Sequence, residues 1–189
     1  TLFRSADGTI HDYVGGLEDL KARRVRFVGD PETRIREDVL RLLRFYRFHA
    51  QIERGAADEA ARAACRALAS LLPTLSAERV AAELMKLLAA PDPLPTLVLM
   101  AADEVLPVVL PEATRPDRLE AMIAVEPKPD ALRRLAALVE VDGDGARAIA
   151  ERLRLSNQDR DRLVILAAPS WPVDLEGDAP VQRRAIHHL

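Results

Sequence analysis

The chain has 189 residues, of which 49% are apolar and 30% are charged, and its formal net charge is −3. This composition excludes a disordered or collagen-like chain, and the 13 scattered prolines exclude a single long helical rod. No apolar run reaches the roughly 18–20 residues that span a bilayer, and no signal peptide is predicted, so we expect a cytoplasmic protein. The single cysteine, Cys65, excludes an internal disulfide and a cysteine-type zinc site.

Charge and aromatic side chains are concentrated near the start of the chain. Residues 21–54 carry 10 Lys and Arg against 5 Asp and Glu, whereas the segments on either side are acidic. Six of the seven aromatic residues also lie within the first 48 positions, and only Trp171 lies further on. We therefore look for the chemistry of the protein in this segment.

Residues 1–28 have the features of short β-strands. Asp7-Gly8 is typical of a tight turn between two strands, Gly15-Gly16 interrupts the chain, and residues 24–28 alternate polar with apolar side chains. Two or three short strands are too few for a sheet domain. Because the first residue is Thr, we expect this piece to be the end of a domain that begins earlier.

Helices are predicted from Asp30 onward. Asp30 can cap a helix that has Pro31 at its first position and continues to about Ala50. Ser76 is a predicted cap, and Ser156 with Asp159 resembles a capping box. Proline positions and apolar spacing predict the later helices at 57–72, 77–90, 94–104, 116–125, 130–140, 144–154 and 157–168.

The predicted helix over 30–50 has one apolar and one charged face. Five residues share the charged face: Glu37, Asp38, Arg41, Arg44 and Arg47. One interpretation is a solvated face with ion pairs from Glu37 and Asp38 to Arg41. The other is a binding surface, because arginines outnumber the acids here and guanidinium groups suit phosphates and base edges.

Three motifs in this part of the chain resemble one family. Residues 26–31 and 34–48 resemble the neck segment of the class II tRNA nucleotidyltransferases (CCA-adding enzymes) and bacterial poly(A) polymerases. Residues 12–20 are similar to the family's D-x-x-G-G-x-x-D-L hinge, and residues 78–88 to its E-R-x-x-x-E-L-x-K-L-L brace. The resemblance is strong over 12–90, and a weakly patterned helical part follows.

The resemblance implies that protein side chains select the incoming nucleotide, with Asp38 and Arg41 facing its base. Cytosine and adenine each present an amino donor beside a ring-nitrogen acceptor, whereas uracil and guanine present the reverse order. A carboxylate and a guanidinium one helical turn apart therefore suit CTP and ATP and reject UTP and GTP. Glu37 would hold Arg41 in place, and Arg44 and Arg47 would meet the triphosphate or the ribose.

The other two motifs are given supporting roles. Gly15 and Gly16 permit a tight turn, and the resemblance implies that they also let the flanking parts rotate. The predicted hinge consists of Asp12, Gly15, Gly16 and Asp19. We expect a structural brace from Glu78, Arg79 and Glu83, with Arg79 and Glu83 at helical i,i+4 spacing.

The fold class predicted from these features is mainly α. The expected domains are a remnant of a truncated catalytic head with its hinge (1–28), a base-reading helical neck (29–90) and a truncated helical body (91–189). Nucleotidyl transfer needs two metal-bound carboxylates, which the resemblance implies hold Mg²⁺ in the head. We find no such pair, because 142–144 and 159–161 are better explained as helix starts. The chain alone is therefore expected to be inactive, with no metal ligands and no catalytic residues.

The predicted function is part of an enzyme that adds C and A to RNA 3′ ends without a template, using CTP and ATP, with tRNA or another RNA as acceptor. Two alternatives remain open: the corresponding part of a poly(A) polymerase, and a non-catalytic helical RNA-binding module. His11-Asp12 is weak evidence for a metal-dependent phosphohydrolase, because no partner ligands are evident among the four histidines.

Overall fold

The computed structural model describes residues 3–4, 8, 10–52 and 55–168 of the chain. Within them, strands β1 (Phe3–Arg4) and β2 (Ile10–His11) pair antiparallel, with Phe3 opposite His11. Gly8 lies between them with a φ of 90°, a left-handed conformation that glycine adopts without strain. Of the turn predicted at Asp7-Gly8, Asp7 lies outside the described residues.

The segment after the hairpin differs from the sequence prediction. Helix α1 (Gly16–Ala22) was not predicted, and residues 24–28 do not form the expected strand. In the described part of the chain, the only sheet contains just β1 and β2, so the 24–28 segment has no partner strand. The alternation of polar and apolar side chains over 24–28 instead reflects contacts of Arg24 and Arg26, which both bond to Asp19.

The described residues form two compact units, of which one ends at Pro111 and the other begins at Glu112. This division does not test the predicted domain boundaries after residues 28 and 90, which stay predictions. The remaining helices of the first unit are α2 (Pro31–Glu37), α3 (Leu40–Ile52), α4 (Glu59–Leu68), a 3₁₀ helix (Ala69–Thr74), α5 (Ala77–Leu88), α6 (Leu94–Ala102) and α7 (Leu106–Val109). Those of the second unit are α8 (Pro116–Val125), α9 (Ala131–Leu138), α10 (Gly143–Arg152) and α11 (Asn157–Ala167).

The fold class is confirmed as mainly α, and the predicted helix starts agree with the structure in most places. Asp30 and Ser156 accept the expected backbone N–H groups of Thr33 and Asp159. Ser76 occupies the position before α5, but its side chain makes no capping bond. The short helix α7 is not predicted from the sequence, where Pro107 indicates a break, but proline is tolerated in a first helical turn.

The largest correction concerns the helix predicted over 30–50, which is two helices. Asp38 has an extended backbone, with φ −153° and ψ 104°, so α2 ends before it. Its side chain accepts the N–H of Leu40 at 3.2 Å, which helps to start α3. An aspartate that caps a new helix in this way competes with continuation of the old one.

Helix α3 is the centre of the first unit. It packs against α5 and α6, while α2 packs against α4. Its buried face consists of Leu42, Leu43, Phe45 and Tyr46. The Tyr46 hydroxyl donates to the buried carboxylate of Asp103 at 2.9 Å, and Arg62 donates to the same carboxylate from Nε and Nη2.

In the second unit, α10 packs on α11, and α9 packs on both α8 and α11. Glu126 and Arg134 form an ion pair of 2.5 Å there, with each side chain only 2% exposed. Among the helices that the structure describes, none is long and apolar enough to cross a membrane.

Candidate functional site

A cavity of about 580 Å³ opens beside α3 in the first unit. Three cationic side chains line it from α2 and α3: Arg34, Arg41 and Arg44. The other lining residues come from α3 and from the segments around α1, and they are Tyr13, Val14, Val25, Arg26, Phe27, Val28, Phe45 and Phe48. Guanidinium groups beside aromatic rings suit a ligand that carries both negative charge and a flat ring.

Arg41 is held at the cavity by the end of α2. Its Nη1 donates to Glu37 at 2.5 Å and to the backbone carbonyl of Arg34 at 2.9 Å. The predicted i,i+4 contact between Glu37 and Arg41 is therefore present. The hydrogen bond from Arg41 lowers the pKa of the Glu37 carboxyl, with Arg34 contributing further, so Glu37 stays charged. The bonds described for Arg41 leave its Nε and Nη2 available as donors.

Asp38 lies three residues before Arg41 in the chain but forms its ion pair with a different arginine. Its Oδ1 accepts from Arg79 of α5 at 2.9 Å as well as from the N–H of Leu40. The ion pair predicted between Asp38 and Arg41 is absent among the described contacts, because the extended backbone directs the carboxylate toward α5. Burial raises the pKa of Asp38, but the hydrogen bonds from Arg79 and Leu40 outweigh it and the pKa is lowered.

Asp38 is not among the residues that line the cavity. Its side chain is nevertheless 31% exposed, and no described residue bonds to its Oδ2. The structure thus gives Asp38 one oxygen fixed by α5 and one oxygen open as an acceptor.

Arg44 and Arg47 were predicted to act together, and the structure separates them. Arg44 is exposed and lines the cavity, 5.7 Å from the ring centre of Phe48, and it has no carboxylate partner in the described part of the chain. Arg47 donates to the buried Glu83 at 2.5 Å and to Gln51 at 3.0 Å, and it does not line the cavity. The prediction that Arg47 faces the same ligand as Arg44 is therefore not supported by its placement.

The predicted hinge forms a well-bonded turn. The Asp12 carboxylate accepts the backbone N–H groups of Val14, Gly16 and Leu17 at 3.2, 2.8 and 2.8 Å. Its pKa is lowered by these bonds, of which those from Leu17 and Gly16 are the strongest. Gly15 has a φ of 73°, where a side chain would be strained, so the turn explains the glycine. Rotation about this turn stays a prediction.

Asp19 connects the turn to the cavity wall. It accepts from Arg24 and from Arg26 Nε at 2.7 Å, and Arg26 Nη2 donates to the carbonyl of Val14 at 2.7 Å. Arg26 is a cavity residue, so this chain of bonds fixes the 24–28 segment against the turn.

Two residues of the predicted brace contact the neighbouring α2–α3 region rather than each other. Arg79 bonds to Asp38, and Glu83 bonds to Arg47, whereas the helical Arg79–Glu83 pair is not formed among the described ion pairs. Glu78 is exposed at the start of α5. The brace motif thus determines where two of the predicted site residues point.

Sequence reasoning did not assign the aromatic lining. Tyr13, Phe27, Phe45 and Phe48 all reach the cavity, and their concentration in the first 48 residues was the available signal. Phe27 and Phe45 stack with ring centres 5.8 Å apart. This contact attaches the 24–28 segment to α3.

The residues described hold no group of three or more His, Cys, Asp or Glu side chains that could bind a metal ion. Asp142 caps α10 by accepting the N–H of Gly145 at 2.8 Å, as the sequence predicted. Cys65 is buried, and burial raises the pKa of its thiol to about 12, so it is an unreactive core residue.

Comparison with known proteins finds one family over the middle of the chain. Residues 57–115 match the family described as "Probable RNA and SrmB- binding site of polymerase A". A zebrafish (Danio rerio) mitochondrial CCA tRNA nucleotidyltransferase 1 is 44% identical over 90 residues, which are 47% of this chain and 21% of that protein. Poly(A) polymerase I of Escherichia coli O157:H7 is 40% identical over 110 residues, which are 58% of this chain and 23% of the polymerase.

The fold is also similar to a solved enzyme. The crystal structure of the Bacillus stearothermophilus CCA-adding enzyme in complex with CTP superposes with a TM-score of 0.76 at 25% identity. The match covers 98% of this chain and 55% of that one, so the chain corresponds to only part of its relatives' length. In sequence and in fold, the chain is thus similar to part of the CCA-adding tRNA nucleotidyltransferases and bacterial poly(A) polymerases.

Proposed function

We propose that this chain is the base-selecting part of a nucleotidyltransferase that adds C and A to RNA 3′ ends from CTP and ATP. The observation that carries the proposal is that Asp38 and Arg41, three residues apart, each keep polar side-chain atoms without a described partner. Oδ2 of Asp38 is an open acceptor, and Nε and Nη2 of Arg41 are open donors beside the cavity. This pair therefore offers the acceptor and donor that the cytosine and adenine edges require.

The pairing logic accounts for selection without a template. Asp38 accepts from the exocyclic amino group, and Arg41 donates to the neighbouring ring nitrogen. Uracil and guanine would place a carbonyl against the carboxylate and an N–H against the guanidinium, leaving groups opposed or unsatisfied. Because Glu37 holds Nη1 of Arg41 and Arg79 holds Oδ1 of Asp38, each partner is oriented before the base arrives.

The triphosphate is assigned to the cationic side chains of the same cavity. Arg44 has no carboxylate partner in the described contacts, so its charge is available for phosphate oxygens. Arg34 lines the cavity but already bonds to Glu37, so we give it a lesser role. Arg47 is given a structural role, because it forms an ion pair with the buried Glu83.

We infer that the reaction uses Mg²⁺ bound outside the described residues. Residues 3–4, 8, 10–52 and 55–168 do not offer a cluster of ligands that fits the ion. We accordingly propose that the part of the protein described here selects the nucleotide and leaves the transfer step to other residues. The cytoplasmic location stays a prediction, since the relatives include mitochondrial enzymes and a bacterial polymerase.

Polyadenylation is a second candidate. It is favoured by the 40% identity to poly(A) polymerase I, which spans more of this chain than the match to the zebrafish enzyme. Both candidates use the same Asp38 and Arg41 pair for adenine. They differ in whether CTP binds as well as ATP.

The test is nucleotide affinity by calorimetry for CTP, ATP, UTP and GTP. We expect CTP and ATP to bind at least about 10-fold more tightly than UTP and GTP. Asp38→Ala and Arg41→Ala should remove this preference. Arg36→Ala is the matched control, because Arg36 is an exposed arginine of α2 that does not line the cavity.

Other outcomes discriminate the alternatives. Preference for ATP alone would favour polyadenylation. Salt-sensitive RNA binding with no preference among the four nucleotides would overturn the proposal and favour a non-catalytic RNA-binding module.

A further inference from the structure

We propose that Tyr13 is a stacking platform for the unpaired base at the 3′ end of the RNA acceptor. Tyr13 lines the cavity, yet 78% of its surface is exposed, whereas Phe45 in the cavity wall is only 4% exposed. This inference rests on the proposed function, since it supplies the second substrate of the same site.

Hydrogen bonds hold the backbone on both sides of Tyr13. The neighbouring Asp12 side chain bonds three backbone N–H groups after it, and Arg26 bonds the carbonyl of Val14. These contacts bracket Tyr13 on both sides in the chain. An exposed aromatic ring on a well-bonded turn loses little conformational freedom when a ligand stacks on it.

The ring is also aligned with a neighbour. His11 lies nearly parallel to Tyr13, with the ring centres 6.1 Å apart and the planes 9° from each other. Because so much of Tyr13 remains exposed, the contact with His11 leaves ring surface for a further flat partner. Aromatic side chains in this arrangement commonly bind single-stranded nucleic acid, since every base has a π-face.

The position and exposure of Tyr13 favour an RNA end over the incoming nucleotide as its stacking partner. The base of the nucleotide is assigned to Asp38 and Arg41, which read its edge, and the phosphates to Arg44. Tyr13 is the cavity aromatic that is largely open to solvent, and a polymer must approach from that side. A base stacked there would bring the RNA end beside the cationic cavity.

The experiment measures the fluorescence and the affinity of a short single-stranded RNA that binds to the full chain and carries 2-aminopurine as its 3′-terminal base. Stacking on Tyr13 quenches this probe, whereas the same probe at an internal position should respond less. We expect Tyr13→Leu to weaken RNA affinity roughly 5- to 150-fold and to relieve the terminal quenching. Tyr13→Phe, which keeps the ring, should stay within about twofold of the wild type.

Two controls separate this proposal from the nucleotide site. Leu20→Ala removes another exposed apolar side chain, which is 61% exposed and does not line the cavity, and should change neither ligand. In Tyr13→Leu, the loss of RNA affinity should exceed any change in CTP affinity measured without RNA. If Tyr13→Leu weakens CTP binding more than RNA binding, the platform serves the nucleotide and the proposal is overturned.

Two further results would overturn the stacking proposal. One is unchanged RNA affinity and quenching in Tyr13→Leu, and the other is no RNA binding by the wild-type protein. Failure of the proposed function is seen separately, as equal affinity for the four nucleotides in the wild-type protein.

Discussion

The two oxygens of Asp38 have different surroundings, and this difference explains how a charged side chain can be both fixed and available. Oδ1 accepts from Arg79 and from the backbone of Leu40, and Oδ2 has no described partner. Under the proposed function, Arg79 would therefore be a positioning residue rather than a ligand of the nucleotide. Its position in α5 would make base selection by Asp38 and Arg41 depend on a second helix.

Replacing Arg79 tests this role directly. We expect Arg79→Ala to reduce the preference for CTP over UTP, because the Asp38 carboxylate loses its orientation. The change in the free energy of unfolding should stay within about 1 kcal/mol, since the pair is partly exposed. Calorimetric affinities for both nucleotides, with a thermal melt, check both statements. An unchanged preference in Arg79→Ala would show that Leu40 alone positions Asp38.

Arg44 and Arg47 provide a second test at this scale, because they lie one turn apart on α3 with different partners. Arg44→Ala should weaken triphosphate binding without loss of stability. Arg47→Ala should lower the free energy of unfolding by about 2–3 kcal/mol, because it leaves Glu83 buried without its main partner. CTP titration and urea denaturation of both variants give the comparison. Equal losses of CTP affinity would restore the predicted joint role.

At the scale of elements, local signals predicted most helices but not the division of the 30–50 helix. Asp30 with Pro31, and Ser156 with Asp159, are short-range patterns that act within one turn, so the sequence alone reveals them. The break at Asp38 has no glycine or proline to mark it. It depends on Arg79, which lies 41 residues further along the chain and captures the carboxylate.

The Asp103 cluster holds several elements of the first unit together. Asp103 ends α6 and accepts from Tyr46 of α3 and Arg62 of α4, and it is fully buried. Asp103→Ala should lower the free energy of unfolding by about 3 kcal/mol, because Tyr46 loses its buried acceptor and Arg62 keeps only its exposed partner Glu59. Tyr46→Phe should cost about 1 kcal/mol, since Arg62 still satisfies Asp103.

Chemical denaturation of the two Asp103 and Tyr46 variants measures the difference. The control is Val98→Ala, which changes a 56% exposed residue of α6 and should have little effect. If Asp103→Ala is as stable as Tyr46→Phe, the cluster contributes less than its burial indicates.

For the whole molecule, the sequence identified the region of the site but not which side chains face the cavity. The arginine excess and the aromatic clustering are compositional, and they are visible without coordinates. The choice between Arg44 and Arg47 depends on Glu83, and the choice between two partners for Asp38 depends on α5. Such contacts between distant segments are set by packing, which periodicity does not encode.

The stability of the folded chain should depend on pH in two separate ranges. Burial lowers the pKa of His49 below its ordinary value of 6.5, with nearby Arg62 adding to the effect. The unfolded chain therefore binds this proton more readily, so stability is full above about pH 6.5 and falls as the pH drops through the folded pKa. Asp12 and Asp38 also have pKa values below 3.8, and their contributions are lost only in stronger acid. Urea denaturation at pH 7.5, 5 and 3 should show both steps, and His49→Gln should remove only the first. A first step that persists in His49→Gln would assign it to another group.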